Sequence, residues 1–440
     1  MPLYGDKIYG NIVLSTRSQK IINVPLFGRL KHIAQVGGSQ YIFKSASHSR
    51  FEHSLGVAYL ASYVGRKLSK CQPELNITHR QIMWLEWAGL LHDIGHGPFS
   101  HLFDKTFCDN HGDADLSHEE RSKLFATYIM GTQLKPYFTL EDIAWVCWLI
   151  DPKPETVPSE KYQYLGDIVA NKTHGIDVDK LDYLSRDAFH YGCVDQVSWD
   201  VKQVISNSRV CFDPFTSRLT WCFDFADAKD LEAISTTRQK FFQRFYTHPQ
   251  VIMIDKMIED LFHTMETFLN VKKIIVDIGK LYKRIIDGDV DDTIELDTEM
   301  IIGNFTALTD KFVLFLAESD LDTAEQYRKI LEREFTYQYL GVSRTADGNV
   351  DDELDLLLPY GYLIAFEKIG LVADQGMFAE EKVVLPWGIF INWQAPQTAL
   401  PKISFHVGGS FVELQIKLVR AEFKEYLYHV LGKKKDLCAH

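Results

Sequence analysis

IMWLEWAGLLHDIGHGPFSH, residues 82–101, joins an apolar segment to a turn that is rich in glycine and histidine. Residues 79–93 are apolar on nearly every side, which predicts a helix buried at the centre of the fold. The glycines and proline at 95–98 then end that helix. His92 and Asp93 therefore lie at the end of a buried helix, where the fold holds a side chain rigidly but still lets it reach a cleft.

A lone histidine, His53, lies upstream of this pair, and a lone aspartate, Asp179, lies downstream. Two imidazoles and two carboxylates suit one divalent transition ion, and Fe, Mn, Zn and Co all remain compatible. The turn after His92 and Asp93 would let these adjacent residues reach the same ion. A single histidine is more often a core residue than a ligand, but the four residues in this order favour a metal centre. A Mg²⁺ ion could accompany substrate phosphates.

Further proton carriers follow the predicted metal ligands. His96 comes four residues after His92, so a helical turn or a tight loop would place it beside the ion. Histidine exchanges protons near neutral pH, and an aspartate partner fixes its tautomer. The sequence therefore predicts a set of acid and base groups beside the metal that could protonate a leaving oxygen: His96, His101, Asp104 and His118.

Three cations occur in apolar or site-forming sequence: Arg50, Lys180 and Arg238. A guanidinium can bind phosphate oxygens through two hydrogen bonds, and a lysine adds a point charge. An anionic substrate with several phosphates would explain cations at these positions. From composition alone, an ordinary salt bridge explains Arg238 equally well.

The bulk composition narrows the class of protein. The 440 residues carry a net charge of −13, which argues against general attachment to nucleic acid but leaves a local basic pocket possible. Seven cysteines without a CxxC pair favour a reducing, intracellular setting, cytoplasmic or nuclear. Cys211 and Cys222 flank a turn, and two reduced strand cysteines are favoured over a disulfide. No apolar run is long enough to span a membrane.

The apolar periodicity predicts a mainly α protein in two parts, a helical domain over residues 1–283 and an α+β lobe over residues 284–440. The acidic stretch 285–299 is predicted to be exposed, strands are expected from about residue 380, and a final helix is expected at 418–432. The other predicted elements are a strand or hairpin at 6–14 and helices at 17–36, 52–70, 79–93, 118–131, 139–151, 160–171, 178–191, 198–207 and 226–246, with the pattern resuming to 283.

Three motifs, at residues 46–57, 88–101 and 175–183, resemble the HD-domain phosphohydrolases. Within them, the chain resembles the deoxynucleoside triphosphate (dNTP) triphosphohydrolases of vertebrates that combine a SAM and an HD domain. The resemblance runs from about residue 6 to residue 260 and weakly beyond, and we expect no SAM domain before it. It implies an HD-domain helical core and hydrolysis of dNTPs to a deoxynucleoside and triphosphate.

The resemblance also implies a role for each site residue. Water on or near the metal attacks the α-phosphorus of the dNTP, and His101 lies close to the leaving 5′ oxygen. The implied metal ligands are His53, His92, Asp93 and Asp179, and the implied proton relay is His96, Asp104 and His118. The implied phosphate-binding residues are Arg50, Lys180 and Arg238. The implied sugar contacts are Tyr183, Asp187, Tyr246 and Gln35, with Val36 in place of a leucine under the sugar or base.

Apart from Val36, the departures from the family pattern fall outside this pocket. In the vertebrate enzymes, a guanine nucleotide and a dNTP bound between subunits assemble a tetramer. The positions that read them align here with Asn23, Gly28, Lys31, Gln203, Asp224, Ala226 and Pro249. Each cation lost from a polyphosphate site should cost about 1–3 kcal/mol of binding free energy. We therefore expect no such activation, although a dimer or tetramer remains plausible by resemblance.

Two other functions remain open from the sequence. The protein could be an HD phosphohydrolase that acts on another nucleotide, although Tyr183 at the position expected to face a ribose 2′-hydroxyl argues against ribonucleotides. Alternatively, it could sense nucleotides without turnover. The complete set of ligands and relay residues argues against this third function.

Overall fold

The computed structural model describes residues 3–108, 116–172, 174–213, 217–224, 227–287 and 294–344. It also describes the backbone of strands at 365–371, 382–384, 390–392 and 412–420. Side chains are described as far as Tyr337. All statements below about the structure refer to these residues.

The fold is mainly α, as predicted. The helices up to residue 150 are α1 (Thr16–Ile22), α2 (Pro25–Gly28), α3 (Ser39–Ile42), α4 (Arg50–Cys71), α5 (His79–Leu91), α6 (His101–Phe107), α7 (His118–Tyr128) and α8 (Leu140–Ile150). The later helices are α9 (Gly166–Val169), α10 (Val178–His190), α11 (Val201–Asn207), α12 (Ala228–Phe241), α13 (Pro249–Leu269), α14 (Val271–Ile286), α15 (Ile294–Ala307), α16 (Asp310–Ala317) and α17 (Leu321–Glu332).

The described strands form small antiparallel sheets. They are β1 (Leu3–Asp6), β2 (Gly10–Val13), β3 (Arg209–Asp213), β4 (Arg218–Cys222), β5 (Tyr337–Arg344), β6 (Ala365–Leu371), β7 (Lys382–Val384), β8 (Phe390–Asn392) and β9 (Val412–Arg420). The pairs are β1 with β2, β3 with β4 and β7 with β8, while β9 lies between β5 and β6. Among the described residues, β7, β8 and β9 lie in the stretch from about residue 380 where the sequence predicts strands, and β5 and β6 precede it.

Helix α5 is the centre of the core and packs closely on α4. A side chain at Gly89 would place its Cβ 2.8 Å from the backbone of Ala58. Only glycine allows this approach, which brings the first turn of α4 to the last turn of α5. The N-termini of both helices are fixed by capping boxes, Ser49 with Glu52 and Thr78 with Gln81. This packing sets His53 opposite His92.

Two expectations about the elements need correction, and a third holds in part. Residues 17–36 are not one helix, because Pro25 lacks a backbone donor and the chain restarts there as α2 and a 3-10 turn, Arg29–His32. The described residues of the stretch 285–299 are mostly exposed, as expected, but α15 starts within it and buries Ile294 and Thr298. The predicted helix at 418–432 is wrong at its start, where β9 continues to Arg420, and its remainder lies outside the described residues.

The proposed boundary between residues 283 and 284 falls within α14, and the division into two domains stays a prediction. Among the described helices, none is long and apolar enough to cross a membrane by itself. The pair α15 and α16, bent by 66° at its break, meets the requirements of length and composition only when the two are taken together.

Candidate metal centre and active site

The four predicted metal ligands converge from three helices. His53 lies in the first turn of α4, His92 and Asp93 follow the last residue of α5, and Asp179 lies in the first turn of α10. His53 Nε2 is 3.0 Å from Asp179 Oδ1 and 3.4 Å from Asp93 Oδ2. His92 Nε2 is 3.4 Å from Asp93 Oδ2 and 3.5 Å from Asp179 Oδ1. The structure therefore brings together the four side chains that the sequence predicts to share one centre.

The other nitrogen of each imidazole is already hydrogen-bonded. His53 Nδ1 lies 2.7 Å from Asp182 Oδ2, and His92 Nδ1 lies 2.9 Å from the carbonyl oxygen of Gly89. Each Nδ1 faces an acceptor and therefore donates its proton there, so that a metal ion bound at the centre would take the lone pair of each Nε2 in place of a proton. The two Nε2 atoms are only 3.2 Å apart. Two lone pairs at this separation, flanked by two carboxylates, fit a divalent cation between them.

The charges of the centre also fit a cation. Burial opposes protonation of His53, but hydrogen bonds to carboxylates outweigh it and raise the pKa of His53 well above its usual range. Burial likewise opposes protonation of His92, yet Asp93 and Asp179 raise its pKa to about 9. Burial opposes ionisation of Asp93, but the guanidinium of Arg50 and the neighbouring imidazoles hold its pKa well below the usual range. The cluster is therefore built to bind positive charge.

Asp182 orients a ligand without touching the centre itself. Asp182 is fully buried, and Arg186 donates two hydrogen bonds of 2.9 Å to its carboxylate. The same carboxylate contacts His53 Nδ1. A side chain on Gly56 would collide with Asp182, since its Cβ would lie 1.9 Å from Oδ1. The sequence analysis gave Asp182 no role. The signal was its place one helical turn after Asp179, which puts both carboxylates on the same face of α10.

Asp182→Asn is expected to lower metal affinity by about 10- to 100-fold, because the amide no longer fixes the tautomer of His53. The measurement is metal content after dialysis against a graded chelator series. Asp297→Asn is the matched control, since Asp297 also pairs with an arginine, Arg284 at 2.8 Å, but touches no ligand. Equal metal retention by both variants would contradict this role for Asp182.

The predicted relay residues form a second cluster next to the first. The rings of His96 and His118 stack with centroids 4.0 Å apart, and His101 lies edge-on to both. Asp104 Oδ2 is 3.0 Å from His118 Nδ1 and 3.7 Å from His96 Nδ1. Asp93 joins the clusters, since its Oδ1 is 3.4 Å from His96 Nε2 while its Oδ2 faces the metal ligands.

Within the relay, the surroundings favour the neutral forms of His96 and His101 and the ionised form of Asp104. Burial and the positive charge of Arg50 lower the pKa of His96 well below its usual range and that of His101 to about 4. Burial opposes ionisation of Asp104, but Arg121 and the neighbouring histidines keep its pKa below the usual range. Arg121 ion-pairs with Asp104 and donates a 2.9 Å hydrogen bond to the carbonyl of Gly95. Sequence reasoning missed Arg121, which follows His118 by three residues.

The predicted phosphate-binding cations all have partners in this structure. Arg50 contacts Asp93 and donates to Ser100 Oγ at 2.7 Å. Lys180 Nζ lies 3.2 Å from Asp177 Oδ2. Arg238 Nε donates to the hydroxyl of Tyr183 at 3.1 Å. Phosphate binding by Arg50 would therefore compete with a carboxylate of the metal centre.

Two of the predicted sugar contacts, Asp187 and Tyr246, are in direct contact. Asp187 accepts a hydrogen bond from the hydroxyl of Tyr246, and His48 Nε2 lies 2.7 Å from its other oxygen. Sequence reasoning gave His48 no role, although it lies in the motif at residues 46–57. The side-chain oxygen of Gln35 is buried without a hydrogen bond to the protein, and Val36 beside it is half-buried. An unpaired buried acceptor suits a ligand hydroxyl.

This fold and this ligand order define an HD-domain metal centre, and a family model described as the HD domain matches residues 50–187. The deoxynucleoside triphosphate triphosphohydrolase SAMHD1 of Mus musculus is 31% identical over 473 aligned positions, which cover 99% of this chain and 69% of that protein. The proteins of the same name from Bos taurus and Homo sapiens are 35% and 33% identical over 78% of this chain. The chain belongs to the SAMHD1 family of HD-domain proteins. It spans 59% of the length of the bovine protein and 55% of the human one.

Proposed function

We propose that this protein hydrolyses dNTPs to a deoxynucleoside and inorganic triphosphate. The observation that carries the proposal is the joining of two clusters by Asp93, with metal ligands on one side and proton carriers on the other. The names of the relatives indicate the substrate class, and Tyr183, Asp187 and Gln35 supply groups suited to a deoxyribose.

A divalent ion held by His53, His92, Asp93 and Asp179 would activate water and offset phosphate charge. Fe, Mn, Zn and Co all suit this donor set. By this proposal, His101 faces the leaving 5′ oxygen, and His96, Asp104 and His118 deliver the proton. Arg50, Lys180 and Arg238 bind the phosphates, and Mg²⁺ could accompany them. Substrate binding would separate Arg50 from Asp93 and leave that carboxylate to the metal.

The product assay tests this proposal directly. Each dNTP is incubated with the metal-loaded protein, and the products are separated by anion-exchange chromatography. Deoxynucleoside and triphosphate in equal amounts are expected. Release of the deoxynucleoside monophosphate and pyrophosphate, or no turnover with any of the four metals, would contradict it. GTP and dGTP are compared in parallel, and faster turnover of GTP would favour a phosphohydrolase for a different nucleotide.

We further propose that activity does not depend on a guanine nucleotide. Gly28 has no side chain that could contact a nucleotide, and the space next to it is open. Lys31 Nζ lies 4.7 Å from the centre of the Phe51 ring. Gln203 is exposed, and its side chain is uncharged. Ala226 lies outside the described residues. The assay is therefore run with and without added GTP. A rate that changes less than about twofold is expected, and strong dependence on GTP would contradict this part of the proposal. Assembly into a dimer or tetramer stays a prediction.

A further inference from the structure

A carboxylate far along the chain holds two loops of the active site. Asp310 lies in the first turn of α16, outside the segment matched by the HD domain, and is 6% exposed. Its Oδ1 accepts a hydrogen bond from the backbone N–H of Phe99 at 2.7 Å. Its Oδ2 accepts one from the backbone N–H of Ala34 at 2.9 Å. One side chain thus fixes the segment before Gln35 and the segment before His101.

The loop held by Oδ1 is in a costly conformation. Phe99 and Ser100 both have positive φ angles, 59° and 60°, which L-residues rarely adopt. Gly37 completes the fit, since its own φ is +52° and a Cβ there would lie 2.8 Å from the carbonyl oxygen of Phe99. Such backbone persists only where the surroundings enforce it. The Asp310 hydrogen bond is one of the contacts that enforce it.

The two held segments lead directly to the metal centre. Ser100 Oγ donates to the carbonyl oxygen of Ala34 at 2.5 Å, which ties the two loops together. The same hydroxyl accepts from Arg50 Nε at 2.7 Å, and Arg50 contacts Asp93. A shift of either backbone segment would therefore move the guanidinium and the turn from which His101 begins α6.

A buried arginine supports the same junction from the other side. Arg29 donates to the carbonyl oxygens of His96 at 2.8 Å and Leu308 at 3.0 Å. It therefore joins the end of α15 to the relay loop. This second link makes the approach of α16 to the active site a defined feature of the packing.

We propose that Asp310 is a positioning residue that sets the geometry of Arg50 and His101 through the backbone at Ala34 and Phe99. The inference rests on the proposed hydrolysis for its kinetic consequence, but its structural content does not. A change at Asp310 should leave the metal ligands in place while it releases the loop at 97–101.

Asp310→Asn tests this with a side chain of equal size. Its NH2 group cannot accept a hydrogen bond, so one of the two backbone N–H groups loses its acceptor. We expect kcat to fall at least tenfold, metal content to stay unchanged, and hydrogen exchange to accelerate at residues 97–103 but not in α5. Asp320→Asn is the matched control, since Asp320 also caps two backbone N–H groups, of Asp322 and Thr323, but at the exposed start of α17. This control should match the wild type in all three measurements.

The outcomes separate the inference from the proposed function. Exchange at 97–103 that is unchanged in Asp310→Asn would overturn the positioning role, whatever the enzyme hydrolyses. Faster exchange together with an unchanged kcat would overturn its kinetic consequence. If Asp310→Asn fails to fold, Ser100→Ala removes only the hydroxyl link, and an unchanged kcat in that variant would overturn the coupling to Arg50.

Discussion

His92→Ala should abolish triphosphate release and metal binding together. The substitution removes one of the two Nε2 lone pairs, and the other Nε2 and the carboxylates alone cannot hold the ion tightly. The rate is expected to fall about a thousandfold or more, equivalent to about 4 kcal/mol of transition-state stabilisation. The measurements are kcat/KM for dGTP and metal content by elemental analysis.

His92 is a better choice for this experiment than Asp93. Asp93 also contacts Arg50 and His96, so its removal would leave a buried guanidinium unpaired and would disturb the relay. His79→Ala is the control, because His79 begins the same helix at its exposed end. A His92→Ala protein that keeps both its metal and its rate would refute the assignment of the centre.

The placement of His92 and Asp93 could be predicted from sequence because it is encoded locally, whereas the approach of His53 and Asp179 depends on how α4 and α10 pack. An apolar helix that ends in His92-Asp93 and a glycine-rich turn places both side chains at one cleft. Asp182 could also have been predicted, since it lies one turn after Asp179 on α10. Asp310 could not. Its two acceptor contacts span 211 and 276 residues, and no local pattern near position 310 indicates a catalytic loop as its partner.

The errors in the predicted elements have particular physical causes. The acidic composition of residues 285–299 obscures the helical spacing of the buried positions of α15, which are Ile294, Thr298, Ile302 and Phe305. The strand ending at Arg420 pairs with β5 and β6, and this pairing prevails over the helical pattern predicted from 418. The first error therefore arises from local composition, whereas the second reflects tertiary partners that a single segment does not reveal.

His118→Ala should lower kcat by about 100- to 1000-fold while the bound metal remains. His118 Nδ1 contacts Asp104, its ring stacks on His96, and its side chain is 23% exposed, so its loss removes a proton carrier at little cost to the fold. Metal content and thermal stability should match the wild type. His263→Ala, a surface change beside Glu259 on α13, is the control and should have no effect.

A substrate with sulfur in place of the bridging 5′ oxygen distinguishes the role of the relay. A thiolate leaves without prior protonation, so the defect of His118→Ala should shrink to less than about tenfold with this substrate if the relay protonates the leaving group. His92→Ala should stay inactive with both substrates, because activation of water and offset of phosphate charge are still required. An equal defect of His118→Ala with oxygen and sulfur would place His118 in binding or in the attack of water, and the assignment of the relay to the 5′ oxygen would be wrong.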